Sequence, residues 1–161
     1  MKWQQIKIIL IGIVIYSCSN NEGIDNHIER YYQVYREHKD YKQFISFYSD
    51  DIILEDIISG DKIMGKKQLK RFFDWDNTNY QSLASKHLII NDMIIEKNQG
   101  VIKGYFSKFK WNKIEVEAMH FTTILTFNEN GKIIKQVDWI NYPNTLVDYF
   151  NRTNSNTWIS Q

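Results

Sequence analysis

The residues best suited to chemistry are carboxylates and phenols set among apolar neighbours. Asp56 closes the short β-branched run Ile52-Ile53-Leu54. A carboxylate ending an apolar strand beside Phe44, Phe72 and Phe73 is desolvated, which raises its pKa and suits it to general acid–base work. The competing reading is a solvated strand end formed by Glu55 and Asp56. Tyr32 lies on an amphipathic helix, where its hydroxyl either donates into a cavity or is satisfied within the packing. Arg36 follows one turn later on the same face; it can pair with Asp56 and lower its pKa, or hold an anionic group of a ligand. Near the C-terminus Gln136, Asp138 and Ile140 share one strand face, with Val137 and Trp139 on the other. Asp138 is either a partner for Asp56, since two acids in one cavity push their pKa values apart, or a sheet-edge or interface residue.

Other chemistry finds little support. The chain has no glycine-rich phosphate loop, no serine elbow and no thiol nucleophile beyond its single cysteine. His87 and His120 with scattered acids do not give a metal-ligand spacing, so neither metal nor cofactor is expected. Trp75, Trp111 and Trp139 read as core or interface aromatics.

Several elements must position these groups. Ile28, Tyr31, Tyr32 and Tyr35 make one buried stripe on a helix spanning 24–38, with Asp25 or Asn26 as its cap. Asp40, with Gln43 three residues on, opens a second short helix carrying Tyr41, Phe44, Ile45, Phe47 and Tyr48. Ser59-Gly60-Asp61 is a turn. A third helix after Gly65 buries Leu69, Phe72 and Phe73 and leaves Lys66, Lys67, Lys70 and Arg71 outside. From residue 82 the pattern becomes strands: 87–97, 101–111, 115–127 and 132–142, separated by turn residues. Pro143 stops the last strand. Helices first and long antiparallel strands after them predict an α+β protein: a strongly curved, cone-shaped antiparallel sheet wrapped by three helices.

At 161 residues with 43% hydrophobic content the chain holds one ordered domain. Its formal charge is +1, and removal of the segment before Cys18 leaves 18 basic residues against 19 acidic ones. That balance gives no reason to expect nucleic acid as partner. Lys2 and Lys7 precede the apolar run Ile8–Ile15, which is shorter than the ~20 residues a bilayer span requires and fits an export signal. Ile15-Tyr16-Ser17-Cys18 resembles a bacterial lipobox. The resemblance implies a signal peptide over 1–17, lipid on Cys18, a tether over 18–23, a domain over 24–150 and a flexible tail over 151–161. It also implies a cell-envelope location, on the periplasmic side or at the outer membrane; a plain secretory signal or an uncleaved anchor is the alternative.

Tyr48 through Asp56, Gly65 through Phe73 and Phe127 through Ile133 together resemble the nuclear transport factor 2-like superfamily, in particular its SnoaL-like and ketosteroid-isomerase-like branch. The resemblance covers residues 24–150. It implies a cone that binds a small, partly apolar molecule, with isomerase- or dehydratase-type acid–base chemistry where catalysis occurs. Tyr32 and Asp56 match the isomerases' oxyanion donor and proton-moving acid, and the same match turns the Asp138 face inward. The isomerases' second oxyanion donor, a protonated acid, falls on Thr123, a weaker donor, which argues against steroid isomerisation itself. A module that pairs with itself or with another envelope protein through the outer sheet face, at Thr122, Ile124, Thr126 and Trp139, is the non-enzymatic alternative.

Overall fold

The computed structural model describes residues 23–159; the leader, Cys18 and all of the tether but Gly23 lie outside the described residues. Helix α1 (Ile24–Glu37) buries Ile28, Tyr31 and Tyr32, the stripe expected from residues recurring at three- and four-residue intervals. Its N-cap is Gly23 with no side-chain bond, not Asp25 or Asn26; Asp25 instead sits in the first turn, where it favours the helix dipole. His38 ends the helix in the left-handed region at φ 51°. Asp40 caps α2 (Tyr41–Ser46) by accepting from the Gln43 N–H at 2.8 Å.

Strand β1 (Tyr48–Asp56) begins four residues earlier than the apolar run suggests. It turns through Gly60, at φ 81°, into β2 (Asp61–Met64). Helix α3 (Lys66–Phe72) follows, then β3 (Tyr80–Ser82), β4 (Leu88–Glu96), β5 (Gln99–Phe106), β6 (Phe109–Trp111), β7 (Ile114–Val116), β8 (Met119–Phe127) and β9 (Ile133–Ile140). The main sheet runs β2-β1-β9-β8-β5-β4, and β3-β6-β7 form a second, three-stranded sheet. The expected 101–111 and 115–127 strands are therefore each split, at Ser107-Lys108 and Glu117-Ala118, with the broken-off pieces diverted into the small sheet.

The main sheet is mixed, not purely antiparallel, because β1 and β9 pair in parallel with Leu54 opposite Gln136 and Asp56 opposite Asp138. Register shifts interrupt the β1–β9, β4–β5 and β8–β9 ladders; such irregularities increase local twist and bend a sheet. On β8 the inward side chains are Met119, Phe121, Thr123, Leu125 and Phe127, alternating with less buried neighbours. Gly100 on β5 lies under α1: a Cβ there would collide with the Ile28 side chain, so the helix packs directly on the backbone. Burial of Ile28, Phe44, Leu54, Leu69, Leu125 and Ile133 contributes roughly 1.5–3 kcal/mol each. Together these elements give an α+β cone with the sheet as its wall and α1–α3 across it.

The C-terminal segment, expected as a tail, runs back along the turn after β1. Ser155 Oγ donates to the Ile57 carbonyl at 2.9 Å, and a Cβ at Gly60 would collide with the Thr153 carbonyl. Ser155–Trp158 form one 3-10 turn.

Candidate ligand cavity

A cavity of about 400 Å³ opens within the cone. Its polar floor comes from the sheet: Asp56 from the end of β1, Thr123 from β8, and Gln136 and Asp138 from β9. All four are at most 5% exposed. Register explains why they converge, since Thr123 stands opposite Asp138 on β8–β9 and Asp56 opposite Asp138 on β1–β9.

Each carboxylate has its own donors. Asp56 Oδ1 accepts from the Ile58 and Ser59 N–H groups, both at 2.9 Å, and Oδ2 accepts from the Tyr142 hydroxyl at 2.6 Å. Burial raises its pKa, and these three donors offset only part of the rise. Asp138 Oδ1 accepts from Thr123 Oγ1 at 2.6 Å, and Oδ2 from Gln136 Nε2 at 2.8 Å. Burial pushes the Asp138 carboxyl up to about 7 against those two hydrogen bonds, and the Asp56 charge adds to the rise. The Gln136 amide is itself oriented: Tyr48 donates to its Oε1 at 2.9 Å, and the Tyr31 and Tyr48 hydroxyls are 2.7 Å apart. A buried chain therefore runs Tyr31–Tyr48–Gln136–Asp138–Thr123. Tyr32 faces Thr123 and Asp138, and burial raises its phenol pKa first of all, so it is a neutral donor at ordinary pH.

The walls are aromatic. Tyr35, Phe73, Phe106 and Phe121 line the waist; Phe72, Trp75, Tyr80 and Trp111 stand around the mouth with Asp74. His38 and His87 stack face to face at 4.5 Å with 6° between their planes. Tyr80 OH contacts His87 Nδ1. Burial lowers the His38 pKa to about 4 and, with the His38 charge assisting, the His87 pKa to about 3, so both rings are neutral near pH 7.

The sequence-derived candidates distribute as follows. Asp56, Tyr32, Asp138, Thr123, Phe72 and Phe73 all border the cavity. Phe44 does not: it is fully buried beneath the wall, stacked on Tyr31 at 5.4 Å and edge-on to Phe73 at 5.0 Å. Arg36 also stands apart, in an outer groove with Glu29, Gln33, Glu37 and Lys86. The inward position of the last helical turn is taken by Tyr35, so the expected Arg36–Asp56 pair is replaced by Tyr142 and two backbone donors. Trp75 and Trp111, read as packing residues, are cavity walls; Trp139 is 40% exposed on the outer face. His120 is exposed as well. Tyr142, Tyr48, Tyr80 and His87 were not expected at the site. Only Tyr142, one of the last residues before Pro143, carried a local hint, as the point where the final strand must turn across the cone.

No family model matches the chain, and no curated protein does. Solved structures match it closely in fold. A protein from Shewanella putrefaciens described as a SnoaL-like polyketide cyclase is 25% identical, with a TM-score of 0.62 over 79% of this chain and 95% of that one. A protein of ketosteroid isomerase-like fold from Catenulispora acidiphila, in complex with trimethylamine, is 11% identical, with a TM-score of 0.56 over 70% of this chain and 83% of that one. TerC, co-crystallised with polyporic acid, is 16% identical, with a TM-score of 0.57 over 73% of this chain and 91% of that one. The chain has the nuclear transport factor 2-like cone fold, and its structural neighbours are SnoaL-like and ketosteroid isomerase-like proteins, as the sequence resemblance implied.

Proposed function

We propose that the protein binds a small, partly apolar molecule in the cone and moves a proton on it without a cofactor, in isomerase- or dehydratase-type chemistry. The carrying observation is Asp138: a carboxyl at the cavity floor, 5% exposed, fixed by Thr123 and Gln136 and poised near neutrality. A general acid–base works best when its pKa lies near the working pH. Asp138 takes the proton, Tyr32 donates to the oxygen on which charge develops, and Asp56, already engaged by three donors, serves as the fixed neighbouring charge. This reverses the roles expected of the two acids from sequence. Two structural neighbours, one co-crystallised with polyporic acid and one in complex with trimethylamine, support a small-molecule partner. Lipid on Cys18 would hold the domain at the cell envelope; mass spectrometry of the mature N-terminal peptide tests that part.

The test of the chemistry is solvent-deuterium exchange into a panel of enolisable ketones, followed by proton NMR, with Asp138→Asn and Asp56→Asn. Exchange that falls at least about a hundredfold in Asp138→Asn supports the assignment. Exchange that survives in Asp138→Asn but fails in Asp56→Asn returns the role to Asp56, and no exchange with any compound removes the catalytic reading.

A second reading has one observation in its favour. Ile94, Val101, Ile124 and Val137 lie in register across four strands on the outer sheet face, with Ile94 65% and Val101 37% exposed. This apolar stripe beside Trp139 suits pairing of two copies. Sedimentation of wild type and Ile94→Asp decides it: a dimer dissociated by the aspartate supports the interface, and a monomer in both excludes it.

A further inference from the structure

The charges around the cavity are all of one sign. Asp56 and Asp138 form its floor and Asp74 stands at its mouth; among the described residues lining it there is no lysine or arginine. Arg36, next to Tyr35 in sequence, lies in the outer groove. The two imidazoles at the mouth add no positive charge, because burial keeps them neutral. Between floor and mouth the surface is built of aromatic rings. Tyr35 stacks on Trp75 at 6.1 Å, Trp75 lies against His38 at 4.0 Å, and Tyr80 stands edge-on to His87 at 5.1 Å. Rings of this kind offer their negative faces to a cation, an attraction that strengthens when the cation is desolvated.

Each class of ligand meets this surface differently. An anion would face two buried carboxylates and no counter-charge. A neutral molecule would satisfy the rings but bring the acids no counter-charge beyond the hydrogen bonds they already accept. A cationic head answers both the rings and the acids. Building on the cavity-binding reading above, we infer that the molecule taken by the cone carries a cationic amine, seated among Tyr35, Trp75 and Tyr80 with Asp138 and Asp74 as its counter-charges.

Three probes of similar size separate these cases: benzyltrimethylammonium, benzyl alcohol and benzoate. They are titrated into the full chain while tryptophan fluorescence is followed, because Trp75 and Trp111 line the cavity. The cation binds about tenfold or more tightly than either other probe, a margin of ~1.4 kcal/mol. Its affinity rises with pH as Asp138 ionises. The groups facing Asp138 are Tyr32 and Tyr35 from α1, Asp56 from β1, Thr123 from β8 and Gln136 from β9, with Tyr48 behind the Gln136 amide and Tyr142 behind Asp56. Asp138 is the one among these whose carboxyl is pushed up to about 7, so Asp138→Asn flattens the pH profile. Asp138→Asn and Asp74→Asn each weaken the cation several-fold, and by more than they weaken benzyl alcohol. Asp74 is exposed, so its variant folds and carries the test if Asp138→Asn does not. Benzyl alcohol binding as well as the cation, or benzoate binding better, overturns the inference while leaving a working cavity. A cation preference that persists in both asparagine variants also overturns it. No binding by any probe at millimolar concentration removes the cavity reading together with the inference.

Discussion

Asp56 and Asp138 stand directly opposite each other on the parallel β1–β9 pair, both turned into the cone, and each is held by a separate set of donors. Parallel pairing of the first and last strands of the main sheet brings together two acids that lie far apart in the chain. Their donors then divide them. Asp56 has two backbone N–H groups and a phenol, whereas Asp138 has one hydroxyl and one amide. Burial opposed by only two donors, with the Asp56 charge alongside, leaves Asp138 as the acid whose proton comes off near neutral pH.

That division predicts how stability responds to pH. The folded pKa of Asp138 is about 7, against ~3.9 for an unfolded aspartate. Between these values the folded state binds more protons than the unfolded one, so this group's contribution declines as pH rises from about 4 to 7 and is constant above. Urea unfolding of wild type and Asp138→Asn at pH 5 and pH 8 isolates it, since other titrating groups cancel in the difference. The variant gains on wild type with rising pH, by roughly 4 kcal/mol over the whole range and roughly 3 kcal/mol between pH 5 and pH 8. An unchanged difference would mean that Asp138 titrates normally.

The stacked imidazoles push the other way. His38 and His87 have folded pKa values lowered to about 4 and about 3, below the ~6.5 of an unfolded histidine. The unfolded state therefore takes up protons first, and stability is lost as pH falls below about 6.5. His87→Phe keeps an aromatic plane against His38 and removes one titration. Its stability falls less steeply than wild type between pH 6.5 and 4.5, by up to ~1.4 kcal/mol per pH unit. Parallel pH profiles in the two proteins would show that His87 protonates without resistance.

Much of this arrangement was legible in the chain because it follows local periodicity. The tyrosine stripe of α1, the Asp40 cap and the shared face of Gln136 and Asp138 each depend on spacing of three, four or two residues, whereas the inward placement of Thr123 and Asp138 came from the family resemblance. The Asp56–Asp138 register was not legible, because it is set by a parallel pairing of strands separated by most of the domain. Nor was the aromatic mouth. Trp75 comes from the irregular connection after α3, and Tyr80 and Trp111 from short strands of the small sheet, where they pair; no periodicity specifies where such residues land. Arg36 failed for a geometric reason. It shares a face with Tyr32, but Tyr32 borders both the cavity and the outer groove, and Arg36 follows its outer side.

The two donor networks predict different consequences for two similar deletions. Tyr142→Phe removes the phenol from Asp56 Oδ2, leaving a buried acceptor short of a partner at a cost of about 1–3 kcal/mol. Carboxyl NMR then shows the Asp56 pKa moving up, with that of Asp138 nearly unchanged. Tyr48→Phe frees the Oε1 side of Gln136, and with it the constraint that aims Nε2 at Asp138. There the carboxyl that moves up is Asp138, at a similar cost of about 1–2 kcal/mol. If both variants shift the same aspartate, the two networks are one and the separate roles given to the acids do not hold.

Phe44 and Phe72 test where the wall ends and the core begins. Phe44 is fully buried and touches the rings of Tyr31, Tyr35, Tyr48, Phe73 and Trp75. Truncation there opens a void in close-packed aromatics, and Phe44→Ala costs about 3–5 kcal/mol. Phe72 borders the cavity mouth, is 37% exposed, and has a ring contact with Phe73 at 5.2 Å. Phe72→Ala costs about 1 kcal/mol or less because solvent already reaches the ring. Ligand affinity follows a different order. Phe72→Ala removes a wall at the mouth and weakens probe binding several-fold with the fold intact, whereas a milder core change, Phe44→Leu, lowers stability while binding at saturating folded protein stays within about twofold. Chemical denaturation and fluorescence titration on the two single variants measure both quantities. A large loss of binding in Phe44→Leu without a stability change would put Phe44 back in the wall, where the sequence first suggested it.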